Sequence, residues 1–429
     1  MQIHVVQPDQ TLYGIANAYN TTVSQIVVAN EIQNPDQLVV GQTLVIPVWG
    51  NFYTIRSGDT LSAIGQRFNI DYRELARINN ISVDRPLQVG FRLFIPPKPK
   101  KRAEINAYVE PMGSSVTPAL EAAAVQAAQY LTYLAPFSYR IQRDGNLIEP
   151  LLNNFTQIAR QNDAGLMMVL SNLEEGQFST ELARIILTNE EVQNRLLDNI
   201  VRIANDMGFI DVHFDLEFIS PGNREDYNNF LRKAKERFSQ EGITLSTALA
   251  PKTSSSQKGL LYEAHDYRTH GEIVDFVVLM TYEWGYSAGP PMAVSPIGPV
   301  RQVIEYALTE MPSSKIMMGQ NLYGYDWTLP YVQGGQYARA VSPQQAIEIA
   351  RVNNAPIKYD YTAQAPYIDY VDNQGRSHKV WFEDARSIQA KFNLIKELNL
   401  RGISYWKLGL SFPQNWLLIE ENFNVVKLV

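Results

Sequence analysis

Between Phe209 and Ser220 the chain reads FIDVHFDLEFIS, with Asp211, His213, Asp215 and Glu217 on alternate positions. Val212, Phe214, Leu216 and Phe218 fill the places between them. Successive side chains of a β-strand point to opposite faces, so the pattern makes one apolar face and one ionisable face. Carboxyl-bearing residues at i and i+2 have Cα atoms roughly 6.5–7 Å apart on one face. Two carboxylates that close raise one pKa, which suits the outer one to act as a protonated general acid. On an antiparallel strand with one wet face, the same alternation would mean only solvated charge. The meaning of the stretch therefore depends on the fold that carries it.

From residue 102 onward, strands alternate with helices. Strand patterns fall at 103–110, 130–139, 165–171, 208–218, 243–250, 273–284, 315–325 and 402–409. Period-3.6 patterns at 118–130, 190–208, 224–238 and 385–399 read as helices between them. Alternation of this kind implies crossovers and a parallel sheet. Eight such units favour a closed (β/α)8 TIM barrel of the α/β class over residues 103–429. One face of each barrel strand then meets helices and the other meets the barrel interior. Val212, Phe214, Leu216 and Phe218 are expected against the helices, with Asp211, His213, Asp215 and Glu217 pointing inward. Unpaired charge is costly there, so such a row needs shared protons, hydrogen bonds or a polar substrate. Glu217 is nearest the C-terminal end, where barrel enzymes do their chemistry. A long gap between the seventh and eighth strands, about 326–383, reads as a small α+β insertion. It has a helix at 343–353 and a hairpin turning at Asp372-Asn373-Gln374-Gly375.

The first hundred residues are a tandem repeat. A shift of 49 residues lays Thr11, Leu12, Ile15, Asn30 and Ile32 on Thr60, Leu61, Ile64, Asn79 and Ile81 without a gap. Leu38, Gly41, Leu44, Ile46 and Pro47 then fall on Leu87, Gly90, Leu93, Ile95 and Pro96. Each copy reads βααβ, over 1–48 and 51–97, and PPKPKKRAE supplies a stiff, solvated linker at 98–102.

Bulk composition narrows the function. A net charge of −7, from 44 acids against 37 bases, argues against a nucleic-acid partner. Without cysteine there is no disulfide, thiolate nucleophile or Cys-ligated zinc. No run of about 18 apolar residues predicts a membrane span. MQIHVVQPDQTL lacks the basic and apolar regions of a secretory signal. The five histidines show no metal-ligand spacing, and G-x-S-x-G, GxxxxGK[ST] and HExxH are all missing, so no metal and no cofactor is expected.

The two copies resemble LysM modules, on SGDTLSAIGQRFNI, ELARINNI and LQVGFRLFIP. That resemblance implies binding of N-acetylglucosamine-containing glycans, peptidoglycan among them, between two loops. In the first copy the loops hold Asp9, Thr11, Leu12, Asn30 and Ile32; in the second, Gly58, Asp59, Thr60, Leu61, Asn79 and Ile81. The first copy departs from the family pattern at Pro8-Asp9-Gln10, where Ser-Gly-Asp is usual. Two weak sites in tandem would gain avidity on a polymer.

Residues 102–429 resemble glycoside hydrolase family 18, whose fourth strand ends in D-x-x-D-x-D-x-E. Asp215 and Glu217 fall on the last two acids, while Ile210 and His213 take the first two Asp positions. Met280-Thr281-Tyr282-Glu283 matches the sixth-strand Met-x-Tyr-Asp with Glu for Asp. Tyr323-Gly324 with Trp327, and Trp406, match aromatic positions on the seventh and eighth strands. The resemblance implies a retaining, substrate-assisted hydrolysis, an exception among glycosidases. Glu217 would be the proton donor, Asp215 and Tyr282 would orient the substrate's acetamide, and Met280, Glu283, His213, Tyr323, Trp327 and Trp406 would line the sugar site. The proton relay at His213 would differ from that of the family.

LysM modules joined directly to such a barrel resemble the spore cortex-lytic enzymes. That implies an N-acetylglucosaminidase acting on cortex peptidoglycan or its fragments during germination. Its place would be the spore coat or cortex, with spore coat proteins as further partners. A chitinase, or an endo-N-acetylglucosaminidase on another polymer, is the alternative. A non-catalytic chitinase-like lectin is disfavoured by the presence of Glu217.

Overall fold

The computed structural model describes residues 1–19, 21–47, 52–68, 70–96 and 100–428. Two compact units divide it, Met1–Lys100 and Lys101–Val429. Positions 98 and 99 of the expected linker lie outside the described residues, and Lys101 already belongs to a strand.

In the first unit, strand Gln2–Val5 pairs antiparallel with Thr43–Ile46, and helices Leu12–Tyr19 and Val23–Asn30 lie between. The second copy repeats this with Phe52–Thr54 against Arg92–Phe94 and helices Leu61–Phe68 and Tyr72–Ile78. Each copy has its own small core, with Leu12, Ile15, Ile26 and Leu44 in the first and Leu61, Ile64, Leu75 and Leu93 in the second.

In the second unit eight parallel strands close on themselves: β1 (Lys101–Val109), β2 (Tyr133–Pro136), β3 (Gly165–Ser171), β4 (Phe209–Asp215), β5 (Thr244–Leu249), β6 (Phe276–Leu279), β7 (Ile316–Asn321) and β8 (Gly402–Trp406). Every strand pairs with its sequence neighbours, and the β8–β1 pairing completes the circle. Where β8 meets β1, a Cβ on Gly402 would sit 1.7 Å from the Glu104 carbonyl oxygen, so only glycine allows that approach. Tyr108, Tyr133, Met167, Val169, Phe276, Val278 and Met317 fill the interior. After β7 an insertion forms a five-stranded antiparallel sheet, from Gly324–Thr328 to Ser377–Trp381, with helix Pro343–Val352. Among the described residues no helix is long and apolar enough to cross a membrane.

Local sequence explains how β4 is launched. Helix Glu190–Met207 is capped by the Asn189 side chain, carries Glu190 and Glu191 in its first turn, and ends at Gly208 with φ 77°. The strand begins at the next residue. Its apolar face packs as expected, with the Phe214 ring 5.2 Å from Phe230 on helix Arg224–Gln240. Two features differ from the simple alternation. A bulge between Phe209 and Asp211 shifts the register on β3, and Ile210 packs against the interior cluster. The strand also stops at Asp215, so Glu217 lies in the loop beyond it. Phe218, expected against the helices, is instead 38% exposed with φ 53°.

Phe214 is the central ring of this strand–helix contact. Phe214→Ala is expected to lower the unfolding free energy of the barrel by about 3–5 kcal/mol, read from urea unfolding midpoints. A loss below about 1 kcal/mol would mean that the ring is not a core residue.

Candidate active site and glycan-binding loops

Glu217 is presented by a segment whose backbone is held at three successive carbonyls. Nε2 of His265 donates to the Leu216 carbonyl at 3.0 Å, while its Nδ1 accepts the Ala250 N–H at 2.8 Å. The Asn172 amide donates to the Glu217 carbonyl at 2.9 Å and accepts the Glu217 N–H at 3.0 Å. Thr180 donates to the Phe218 carbonyl at 2.7 Å. Asn172 is fully buried and also donates to the Ser179 carbonyl. The loop that carries Glu217 is thus tied to the segment after β3 and to the segment after β5. None of these three side chains was singled out from sequence. Asn172 directly follows the β3 pattern, at the end of the strand beside β4, and that position was its only signal.

Asp215 is buried, and Glu217, just beyond the strand, is half-buried. Burial, reinforced by the charge of Asp215, pushes the Glu217 carboxyl well above the ordinary carboxylic range. Burial likewise raises Asp215. A second charge beside the first is disfavoured, so the pair retains a proton at pH values where a free carboxyl would have lost it. Oδ1 of Asp215 is sealed from solvent and has no hydrogen-bond partner among the described residues. It is a spare acceptor.

Tyr282 joins this pair, within electrostatic reach of Asp215, Glu217 and Glu283. Its ring lies over β7 at Gly319, where an added Cβ would come within 2.9 Å of Tyr282 Cε1. Met280 sits half-buried at the end of β6, its carbonyl accepting the Tyr282 N–H. Glu283 accepts hydroxyl protons from Tyr323 and Tyr325, and burial raises its carboxyl despite them. Trp406, half-buried at the end of β8, packs edge-on against Phe137 at 4.7 Å and Tyr108 at 5.5 Å. His213 is fully buried beneath Asp215 on the same strand.

Trp327 does not join them. It is 2% exposed in the core of the insertion with Ala293, Ala338, Ala365 and Trp381, and its indole N–H goes to the Gly289 carbonyl. A ring so enclosed has no face for a sugar; it fastens the insertion to the loop after β6. Among the described residues no group of His, Asp and Glu side chains converges as a metal site.

In the LysM modules several expected glycan contacts turn out to be structural. The Asn30 amide bonds the Ile26 carbonyl and both backbone groups of Val45. Asn79 does the same with Leu75 and Phe94. Each asparagine locks a helix to the last strand, and Leu12 and Leu61 are core. Thr11 and Thr60 cap helix starts by accepting the N–H groups of Gly14 and Ala63. Asp59 accepts from Tyr53 and Arg56. Asp9 and Gly58 lie exposed at turns of positive φ, while Ile32 and Ile81 are half-buried against their cores. The side chains of Asn30, Asn79, Leu12 and Leu61 shape the loops rather than reach for sugar.

Comparison with known proteins agrees with this architecture. Residues 107–410 match glycosyl hydrolases family 18, and 4–47 and 53–96 match the LysM domain. The chain belongs to glycosyl hydrolases family 18 and is a glycoside hydrolase carrying two LysM domains. Over 100% of its length it is 63% identical to the cortical fragment-lytic enzyme of Bacillus subtilis (strain 168), covering 99% of that protein. It is also similar to the crystal structure of the spore cortex-lytic enzyme SleL from Bacillus megaterium QM B1551, with 55% identity, a TM-score of 0.91 and coverage of 100% and 99%. The Bacillus cereus SleL structure gives 48% identity, the same TM-score of 0.91 and coverage of 99% and 98%.

Removing the clamp tests its role. Asn172→Ala is expected to lower kcat by roughly tenfold to a hundredfold, with KM changed less than about twofold. Circular dichroism and steady-state kinetics together check this. An unchanged kcat would show that the clamp does not position Glu217.

Proposed function

We propose that this enzyme is an N-acetylglucosaminidase that hydrolyses spore cortex peptidoglycan or its fragments during germination. The observation that carries the reading is the full-length 63% identity to a protein named for lysis of cortical fragments. The Asp215–Glu217 pair supplies the matching chemistry. The LysM modules would hold the same polymer, and the place of action would be the spore coat or cortex, with coat proteins as further partners.

The mechanism follows from what each residue offers. Glu217, kept protonated by burial and by Asp215, donates its proton to the glycosidic oxygen as the leaving sugar departs. The N-acetyl carbonyl of the substrate attacks the anomeric carbon from the opposite face, giving an oxazolinium ion. Oδ1 of Asp215, lacking a partner of its own, accepts the acetamide N–H, and the carboxylate offsets the growing positive charge. The Tyr282 hydroxyl, kept protonated by burial, donates to the acetamide oxygen. Glu217, now ionised, takes a proton from water, which opens the ring with overall retention. The sugar on the non-reducing side of the cut must carry an N-acetyl group.

Digestion of purified cortex fragments and of chitin oligomers, read by mass spectrometry of the reducing ends, tests both substrate and donor. Wild type is expected to release N-acetylglucosamine ends from cortex material, and Glu217→Gln to lose at least about a hundredfold in rate. Equal product from the variant would overturn the donor role; cleavage of chitin alone would overturn the substrate.

The pH profile gives a second test. Because the carboxyl of Glu217 is raised, activity should persist above the ordinary Glu range and fall as pH rises through the raised value. In Asp215→Asn the charge that helps hold the proton is gone, so the alkaline limb of the residual activity should move to lower pH. A limb unmoved in Asp215→Asn would mean that the proton is not shared.

A further inference from the structure

Below the catalytic pair, the ionisable face of β4 belongs to one continuous chain of hydrogen bonds. The Tyr108 hydroxyl lies 2.8 Å from Nε2 of His213. Nδ1 of His213 lies 2.7 Å from the Ser246 hydroxyl on β5, and Ser246 is 2.6 Å from Oδ2 of Asp211. Oδ1 of Asp211 is 2.6 Å from the Thr244 hydroxyl, which also reaches the Ile210 carbonyl at 3.0 Å.

The carboxyl end sets the direction of the protons. Thr244 donates to Oδ1 of Asp211 and Ser246 donates to Oδ2. A hydroxyl has a single proton to give, so the Ser246 oxygen accepts from Nδ1–H of His213. In a neutral imidazole Nε2 is then bare and accepts the Tyr108 hydroxyl proton. Every link at the ring is satisfied with the ring uncharged, which avoids the cost of an imidazolium in the barrel interior.

We propose that His213 is a positioning residue, a permanently neutral Nδ1–H imidazole held between the Tyr108 and Ser246 hydroxyls, that leaves Asp215 as the ionised partner of a protonated Glu217. The proposal rests on the reading of Asp215 and Glu217 as the catalytic pair. Burial acts in the same sense, driving His213 down to about 3. Tyr108 on β1 faces the imidazole, with Asp211 and Asp215 on its own strand; Tyr133 on β2 lies within electrostatic reach of Asp211, and Tyr282 beyond β6 within that of Tyr108 and Asp215. Glu104, Asp275 and Arg401 lie lower, around Asp211 and Tyr133. β3 and β7 contribute Met167, Val169 and Met317 to the interior cluster. A carboxylate at 213 would stand two residues below Asp215 on the same face and resist its ionisation.

The test uses the whole enzyme. In protein labelled with nitrogen-15 at histidine, the His213 ring, assigned by its loss in His213→Asn, is expected to keep the neutral Nδ1–H signature from about pH 5 to 8. In kcat/KM profiles on cortex fragments, His213→Asp is expected to shift the acid limb upward by about one pH unit. His213→Asn should keep that limb in place while kcat falls. An imidazolium or Nε2–H signature, an unmoved limb in His213→Asp, or equal shifts in both variants would overturn the proposal. The nitrogen signature does not depend on activity, so a failure of the catalytic assignment, seen as an active Glu217→Gln, would be recognised separately.

Discussion

Two carboxyl groups two residues apart, one at the end of a barrel strand and one just beyond it, resist being charged together when both are largely withdrawn from solvent. That constraint organises the site. Burial raises both Asp215 and Glu217, and the charge of the first adds to the rise of the second. One proton is therefore kept in the pair, and in the proposed mechanism the outer member gives it away. The fold closes the interior with eight strands and leaves Oδ1 of Asp215 without a partner among the described residues, the acceptor that the proposed mechanism gives to a substrate amide.

A proton donor is useful only if its position is fixed. Glu217 is not on the strand, so the regular ladder does not hold it. Its place is taken by side chains from neighbouring segments: His265, Asn172 and Thr180 each occupy one of three consecutive carbonyls. His265 can do this only as a neutral ring with its proton on Nε2, and burial, which lowers it to about 4, keeps it so. The same economy recurs on the far side of the site, where Tyr323 and Tyr325 orient Glu283 from the start of the insertion.

Much of this was legible in the sequence, within physical limits. Alternation over Asp211–Asp215 located β4, and the rhythm of strands and helices implied the barrel that closes around it. The repeat and its βααβ pattern were equally visible. What periodicity could not reveal was where pairing stops, because that depends on neighbouring strands; β4 ends two residues before Glu217, and Phe218 turns outward. Nor could residue type distinguish a sugar platform from a core ring. Trp327 looked like the former, and its N–H is spent on Gly289. Asn30 and Asn79 looked like loop contacts, yet both are saturated by backbone partners 15 residues away. Long-range hydrogen bonds of this kind leave no periodic trace.

The central claim is that Glu217 holds its proton at a pH where an ordinary glutamate has lost it. Infrared difference spectra at neutral pH, between wild type and Glu217→Gln with carbon-13 in glutamate, read that proton directly. The expected result is a protonated carboxyl band in the wild type that is missing from the variant. Loss of a carboxylate band instead would show that Glu217 is already ionised and would contradict its role as the acid.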